Sequence, residues 1–143
     1  MQLKELATPI NDLVHVEPNE MLSALSPWKT TDIGCFIVSE QGNVLGILTD
    51  GDLRRGLSAN QAGNLTVEQA MTQQPISMPE TTELTGAFTL MTHRNINHLI
   101  VRNDIGQGTG IVSFHGIAKK LSPEQLFIDL KNDTMSPNAV SYT

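Results

Sequence analysis

The feature that most constrains the fold is an internal repeat that fills most of the 143 residues. Residues 98–101 (HLIV) match residues 35–38 (CFIV), and residues 110–113 (GIVS) match residues 46–49 (GILT). The offset between the copies grows by single residues along the chain, as expected if insertions are confined to loops. Because one copy is too small to bury a core by itself, the repeat predicts two units that pack against each other.

Each copy follows the order β-α-β-β-α, so the predicted fold class is α+β. In the first copy the predicted elements are a strand at 13–16, a helical stretch at 21–28 with Leu22, Leu25 and Trp28 on one face, strands at 35–38 and 44–48 joined by a hairpin turn at 40–43, and a helix at 50–57. In the second copy they are a helical turn at 67–71, a strand at 76–78, an amphipathic helix carrying Leu84, Ala87, Phe88 and Met91, strands at 98–101 and 110–113, and a helix through Ile117 and Leu121. The predicted domains are the first repeat with its connector (1–64), the second repeat (65–121), and a short C-terminal helix capped by Ser122 with a loose tail (122–143).

The first copy contains a candidate binding corner where the strand at 44–48 runs into the next helix. Thr49 occupies the position of the helix N-cap and Asp52 follows three residues later, with Arg54 and Arg55 further along the helix. A helix start exposes unpaired backbone N–H groups at the positive end of its dipole, which favours an anion such as phosphate. Since a carboxylate accepts hydrogen bonds from sugar hydroxyls, the corner predicts a site for the ribose and phosphate of a nucleotide. The same Thr-x-x-Asp pattern is also an ordinary helix cap, and the two interpretations are compatible.

Composition excludes several other classes of function. The chain carries 15 acidic and 9 basic residues, a net charge of −6, which argues against binding to nucleic acid or to an anionic membrane surface. Cys35 is the only cysteine, so no disulfide or cysteine-based metal site can form within one chain. No apolar run reaches membrane-spanning length and residues 1–6 lack the apolar core of a signal peptide, so we expect a cytoplasmic protein.

This order of elements resembles the cystathionine β-synthase (CBS) domain, in the paired form called a Bateman module. The resemblance covers residues 13–121, and its most specific parts are the repeat itself and the Gly-x-x-Thr-x-x-Asp signature that begins at Gly46. The second copy also opens with residues 68–72 (EQAMT) and 74–75 (QP), which are typical of that family. The resemblance implies two small α+β units related by pseudo-two-fold symmetry, with clefts between them that bind AMP, ADP, ATP or S-adenosylmethionine. It also implies a regulator of a fused or partner enzyme or transporter, with no catalysis of its own and no required cofactor.

The resemblance assigns roles to residues of the first copy by position. Thr49 matches the hydroxyl that meets the phosphate, and Asp52 matches the carboxylate that meets the ribose. Ile47, on the strand that enters the corner, is a candidate for flanking the adenine ring. Arg54 and Arg55 are candidates for supplying positive charge to phosphate. This arginine pair also resembles CBS pairs attached to arabinose-5-phosphate isomerases or fused to nucleotidyltransferases.

The second copy keeps only part of this pattern. Ser113 retains the hydroxyl, but Gly116 occupies the carboxylate position, so this site is predicted to be empty, weak or shaped for another ligand. Ile111 is the second candidate for flanking an adenine ring. His98 occupies a position before the apolar strand that often holds a basic residue facing phosphate in this family, and Cys35 occupies the equivalent place in the first copy.

Other motifs give weaker indications of chemistry. Residues 106–110 contain a glycine run, but its place in a hairpin turn and the isoleucine that follows do not fit a dinucleotide fingerprint. The four histidines lack metal-ligand spacing, so no metal site is predicted. Cys35 is more often a packed small hydrophobe than a reactive thiol. Asp50 and Asp52 point to different sides of a helix, which argues against shared acid/base chemistry.

Two functions of different classes follow from these patterns. The first is a non-enzymatic sensor that binds an adenine nucleotide and relays its occupancy to a partner, in a module expected to form a homodimer. The second is a constitutive dimerisation or docking domain with a vestigial nucleotide site, which the glycine at 116 favours. An enzyme ranks third, because no catalytic constellation is visible. The sequence leaves open which nucleotide is preferred and whether the module stands alone or belongs to a larger enzyme.

Overall fold

The computed structural model describes residues 1–25, 33–58 and 65–121. These residues form eight strands and five α-helices in two compact units, which confirms the predicted α+β class. Trp28 and the C-terminal helix and tail predicted at 122–143 lie outside the described residues.

Short elements of two to four residues come first in each half of the described chain, and longer strands and helices follow them. In chain order they are α1 (Leu3–Leu6), β1 (Thr8–Pro9), β2 (His15–Val16), β3 (Cys35–Glu40), β4 (Asn43–Thr49), α2 (Asp50–Ser58), α3 (Val67–Ala70), β5 (Thr72–Gln73), β6 (Ser77–Pro79), α4 (Leu84–Arg94), β7 (His98–Arg102), β8 (Gly108–Ser113) and α5 (Phe114–Lys120). Single turns of 3-10 helix cover Ile10–Asp12 and Leu22–Ala24.

The Thr49 unit consists of Ile10–Pro75. Its sheet has the order β2-β3-β4-β5, in which β2 runs parallel to β3 and the other neighbours are antiparallel. Gln41 and Gly42, with φ of 52° and 82°, form the predicted turn between β3 and β4, where a two-residue hairpin needs positive φ at both positions. The buried core on one face of the sheet comprises Val16, Leu22, Phe36, Val38, Leu48, Leu53 and Val67.

The helical stretch predicted at 21–28 contains, in its described part, only the 3-10 turn Leu22–Ala24. Met21 forms an antiparallel β-bridge with Thr66, and the Leu22 N–H bonds to a carbonyl of the same neighbouring segment. The backbone at the start of this stretch is therefore hydrogen-bonded to the segment at 65–66, so it does not begin an α-helix. Leu22 is still fully buried in the core.

The Ser113 unit consists of Met1–Pro9 and the described chain from Ile76 onward. Its sheet has the order β1-β8-β7-β6, with β6 parallel to β7 and antiparallel pairing elsewhere. The predicted amphipathic helix is confirmed as α4, which ends at Asn95 in the left-handed conformation with φ of 53°. The buried core comprises Leu3, Leu84, Ala87, Phe88, Met91, Leu99, Val101, Val112, Ile117 and Leu121.

Each unit contains a short strand that belongs, in the sequence, to the other repeat. β1 pairs with β8 in the Ser113 unit, and β5 pairs with β4 in the Thr49 unit. A glycine lies at each crossing, Gly110 opposite Pro9 and Gly46 opposite Gln73. A Cβ atom on Gly46 would lie 2.4 Å from the Thr72 carbonyl oxygen, so the close approach requires glycine. The compact units therefore divide the chain differently from the sequence repeats. As a result, β5 pairs with the second half of β4.

Candidate functional site

The Thr49 corner, where β4 ends and α2 begins, is built on a reciprocal helix cap. The Thr49 hydroxyl accepts a hydrogen bond from the Asp52 N–H at 3.0 Å. In return, the Asp52 Oδ2 accepts one from the Thr49 N–H at 3.1 Å. The Asp52 N–H is one of the donors that a helix start leaves without a partner, and the second bond locks the entering strand onto the helix. The two polar residues predicted for the site are thus fixed together at one helix start.

Asp52 is a buried carboxylate with donors on both oxygens. Its exposed fraction is 7%, and it accepts a hydrogen bond from Arg55 Nη2 on Oδ1 at 2.5 Å and from Thr72 Oγ1 on Oδ2 at 3.0 Å. Burial of a charge is costly unless it is bonded in this way. The Arg55 side chain is 74% exposed, so water screens its ion pair and the pair contributes little to stability. The acid is therefore held mainly by Thr49 and Thr72.

Thr72 completes the corner, although sequence pattern alone gives it no role there. It lies on β5 and reaches Asp52 because β5 pairs with β4 in the register that sets Thr72 opposite Ile47. A sequence signal does exist, since Gly46 and Gly110 occupy the same place in the two copies, and a glycine inside a strand often marks close approach of another backbone. That signal indicates a crossing but does not identify the strand that crosses.

The two strand candidates of the first copy, Cys35 and Ile47, share one face of the sheet with Thr49. Cys35 pairs with Thr49 across β3 and β4, and Ile47 lies two residues before Thr49. The alternate residues Phe36 and Leu48 belong to the core. Because successive side chains of a strand point to opposite faces, Cys35, Ile47 and Thr49 lie on the face opposite that core. Both Cys35 and Ile47 are buried there.

The Ser113 corner has the same local geometry without an acid. The Ser113 Oγ accepts a hydrogen bond from the Gly116 N–H at 3.0 Å and caps α5. His98 pairs with Ser113 across β7 and β8, and Ile111 lies two residues before Ser113. Their strand neighbours belong to the core of the unit, so these three candidates share the opposite face, as in the Thr49 unit. The corner lacks the acceptor that Asp52 provides in the first copy.

Cys35 carries a buried, protonated thiol. Burial, together with the negative charges of Asp50 and Asp52, raises the pKa of the thiol to about 12. Since the thiolate is the reactive form, chemistry at Cys35 near neutral pH requires the surrounding structure to open. Cys35 therefore behaves as a small, packed hydrophobic side chain.

We expect Cys35 to react with a thiol reagent such as DTNB at pH 8 only as fast as the folded protein opens. In urea the reaction should be immediate, because the pKa of the exposed thiol returns to its ordinary value of 9.0. The raised pKa also means that the folded state holds the proton more tightly, so this contribution to stability is lost as pH rises from 9.0 towards about 12. A Cys35→Ala variant should lack that alkaline loss in urea unfolding. Native labelling as fast as labelling in urea would contradict the buried placement of the thiol.

The described residues contain neither a metal-ligand cluster nor a membrane-spanning helix. Within 1–25, 33–58 and 65–121, no group of three or more His, Cys, Asp or Glu side chains is placed to hold a metal ion. Across the same part of the chain, no helix combines the length and the apolar character needed to cross a bilayer.

Comparison with known families matches the CBS domain twice, over residues 3–59 and 67–123. The two matches cover more than half of the chain and correspond to its two repeats. The chain belongs to the CBS domain family. Its matched stretches begin at the first residues of α1 and α3, so each CBS match includes a short strand that belongs to the compact unit of the other repeat.

Relatives and solved structures agree with this membership. Over 84 residues, 57% of this chain, it is 38% identical to a Haemophilus influenzae protein named probable arabinose 5-phosphate isomerase, and the match covers 25% of that protein. CBSX2 in complex with AMP has 19% identity and a TM-score of 0.63, covering 91% of this chain and 98% of its own. The CBS domain of a bacterial CNNM/CorC family Mg2+ transporter in complex with ATP has 18% identity and a TM-score of 0.67, covering 83% and 85%. At such identities the two structures show a shared fold. The chain spans about a quarter of the length of the isomerase relatives it matches.

Proposed function

We propose that this CBS pair is a regulatory module that binds an adenosyl nucleotide at the Thr49 corner and relays its occupancy to a fused or partner protein. The proposal rests above all on Asp52, a buried acid fixed at the start of the nine-residue helix α2 beside two exposed arginines. Family membership and a fold shared with structures that hold AMP and ATP support the ligand class.

The corner offers a complementary group to each part of a nucleotide. The Thr49 oxygen caps α2 as an acceptor, and its hydrogen can be donated to a phosphate oxygen. Arg54 and Arg55 are exposed on α2 and supply charge-assisted hydrogen bonds to phosphate. The Asp52 carboxylate accepts a hydrogen bond from a ribose hydroxyl. Ile47, on the same sheet face as Thr49, is the apolar residue that we assign to adenine.

We propose weaker binding at the Ser113 corner. Ser113, Ile111 and His98 repeat the hydroxyl, apolar and basic positions of a CBS site on one sheet face. Without a carboxylate at Gly116, a ribose hydroxyl loses its charged acceptor. One nucleotide per chain should therefore dominate binding.

The regulated activity that we propose is a sugar-phosphate isomerase of the arabinose 5-phosphate class. The support is the 38% identity to the Haemophilus influenzae protein over 25% of its length. A nucleotide can shift such an enzyme between two states only by its difference in affinity for them. The family match of the chain is to the CBS domain over both repeats, which supports a role as the sensor rather than the catalyst.

A second candidate function is a constitutive docking or dimerisation domain. The bonding of Asp52 favours it, because Thr49, Thr72 and Arg55 already donate to the acid from within the chain. The glycine at 116 removes the acid from the other corner. A homodimer is expected for either function, and sedimentation velocity measures it.

Isothermal titration calorimetry of the full chain with AMP, ADP, ATP and S-adenosylmethionine tests the proposed function. We expect saturable binding of at least one of them at close to one molecule per chain. At a ligand concentration 100 times Kd, binding should stabilise the fold by about 2.7 kcal/mol and raise the midpoint of thermal unfolding. Ribose 5-phosphate and adenine are the controls, because each contains only some of the nucleotide groups that the corner is proposed to bind. Absence of binding by all four compounds in a stable dimer would favour the docking domain instead.

A further inference from the structure

A hydroxyl from outside the first sequence repeat bonds to the acid of the Thr49 corner. Thr72 Oγ1 donates to Asp52 Oδ2 at 3.0 Å. The position of Thr72 is set by backbone pairing, since it lies opposite Ile47 in the β4–β5 ladder. Because Gly46 has no side chain, the Thr72 carbonyl lies close against β4. The side chain of Thr72 is β-branched, so it has few rotamers available. The hydroxyl is therefore aimed at Asp52 by the fold rather than by a flexible side chain.

The two oxygens of Asp52 differ in what they can still accept. Oδ2 receives the Thr49 N–H and the Thr72 hydroxyl, which together occupy its two lone-pair directions. Among the described residues, Oδ1 receives a hydrogen bond from Arg55 Nη2 alone, and this side chain is 74% exposed and can move into water at small cost. Oδ1 is thus the oxygen with capacity for a further donor.

We propose that Thr72 is a positioning residue that fixes Asp52 so that Oδ1 accepts a ribose hydroxyl. The inference rests on the proposed function and deepens it by assigning sugar discrimination to a residue outside the signature. Rotation about the last bond of an aspartate side chain is broad and two-fold. Without the Thr72 hydroxyl, the Thr49 N–H is the one donor that Oδ2 keeps among the described residues, and the carboxylate turns between orientations that compete for Arg55 and for the ligand.

The chain contains a matched control for this hydroxyl. Thr8 lies on β1 opposite Ile111, the register that Thr72 has opposite Ile47. At the Ser113 corner, Gly116 offers no carboxylate, so the Thr8 hydroxyl has no acid to position. Thr8→Val therefore removes a hydroxyl from the equivalent strand without removing a hydrogen bond to the acid of the corner.

The test compares AMP with 2′,3′-dideoxyadenosine 5′-monophosphate by calorimetry on the full chain. We expect Thr72→Val to weaken AMP binding about tenfold, the effect of one lost oriented hydrogen bond to a charged group, and to leave the dideoxy analogue nearly unchanged. Thr72→Ser, which restores the hydroxyl, should recover the preference for AMP, and Thr8→Val should keep it. In an Asp52→Asn background, Thr72→Val should add no further loss.

Three outcomes would overturn the inference, and they separate it from the proposed function. Equal weakening of AMP and the dideoxy analogue by Thr72→Val would mean that Thr72 only holds β5 in place. Unchanged AMP affinity in a folded Thr72→Val protein would mean that Asp52 is oriented without it. Both results leave nucleotide binding intact, whereas a wild-type protein that binds neither compound overturns the proposed function together with the inference.

Discussion

Replacing Asp52 with asparagine is expected to remove most nucleotide binding and to destabilise the Thr49 unit at the same time. The carboxylate accepts hydrogen bonds from Thr49, Thr72 and Arg55. An amide has a single acceptor oxygen, and its NH2 group would face one of these donors. We expect the free energy of unfolding to fall by about 2–4 kcal/mol, because hydrogen bonds to a charged group contribute about 1.5–3 kcal/mol each. Loss of the ribose acceptor should weaken nucleotide affinity by about 10- to 100-fold.

Urea unfolding and calorimetry measure these two losses separately. Asp50→Asn is the matched control, because it removes the same charge from the first turn of α2. The buried Oδ1 of Asp50 accepts no hydrogen bond from any described residue. Both variants lose a helix-dipole contribution of about 0.3–1 kcal/mol, so their difference reports the hydrogen bonds of Asp52. Equal losses of stability would contradict that bonding, and full nucleotide affinity in Asp52→Asn would exclude Asp52 from the site.

Elements whose formation is decided within a few residues can be predicted from this sequence. The buried face of α4 follows from the spacing of Leu84, Ala87, Phe88 and Met91 in the sequence. The hairpin between β3 and β4 follows from a polar turn sequence containing Gly42, which adopts positive φ without steric cost. Both signals are local, because a helix face and a two-residue turn depend on neighbours in the chain.

The N-terminal segment shows where local signals end. Leu3 is fully buried, but α1 has only four residues, too few for a periodic pattern. Its burial depends on β1 pairing with β8, which lies far along the chain. The available clue is the second copy, which opens with the same order of a short helix and a short strand, α3 and β5.

The Thr49 corner could be predicted from the sequence, whereas its hydrogen-bond network could not. Thr49 and Asp52 are three residues apart, so their reciprocal cap is a local property. The bond from Thr72 depends on the register of β5 against β4. The complete burial of Cys35 likewise depends on how β3 is covered, which its place in the sequence does not specify. Which residues contact a nucleotide stays a prediction until binding is measured.

Replacing Gly46 with alanine is expected to cost about 2–3 kcal/mol of unfolding free energy for one added methyl group, near the upper end of overpacking effects. The new Cβ atom would lie 2.4 Å from the Thr72 carbonyl oxygen and 3.3 Å from its carbonyl carbon. Both are backbone atoms, so relief requires β5 to move away from β4 rather than a side chain to rotate. Because Thr72 donates to Asp52 from this strand, nucleotide affinity should fall together with stability.

Gly86→Ala makes the same chemical change where there is room for it. A Cβ atom there would meet only the Thr82 Cγ2 at 3.6 Å, an ordinary contact, and alanine in a helix is favoured over glycine by about 0.5–1 kcal/mol. Urea unfolding should therefore show opposite signs for the two variants. If Gly46→Ala left the free energy of unfolding unchanged, β5 would not lie as close to β4 as the distance from Gly46 to the Thr72 carbonyl indicates. The hydroxyl of Thr72 would then lose its fixed place beside Asp52, and the inference about sugar discrimination would fail with it.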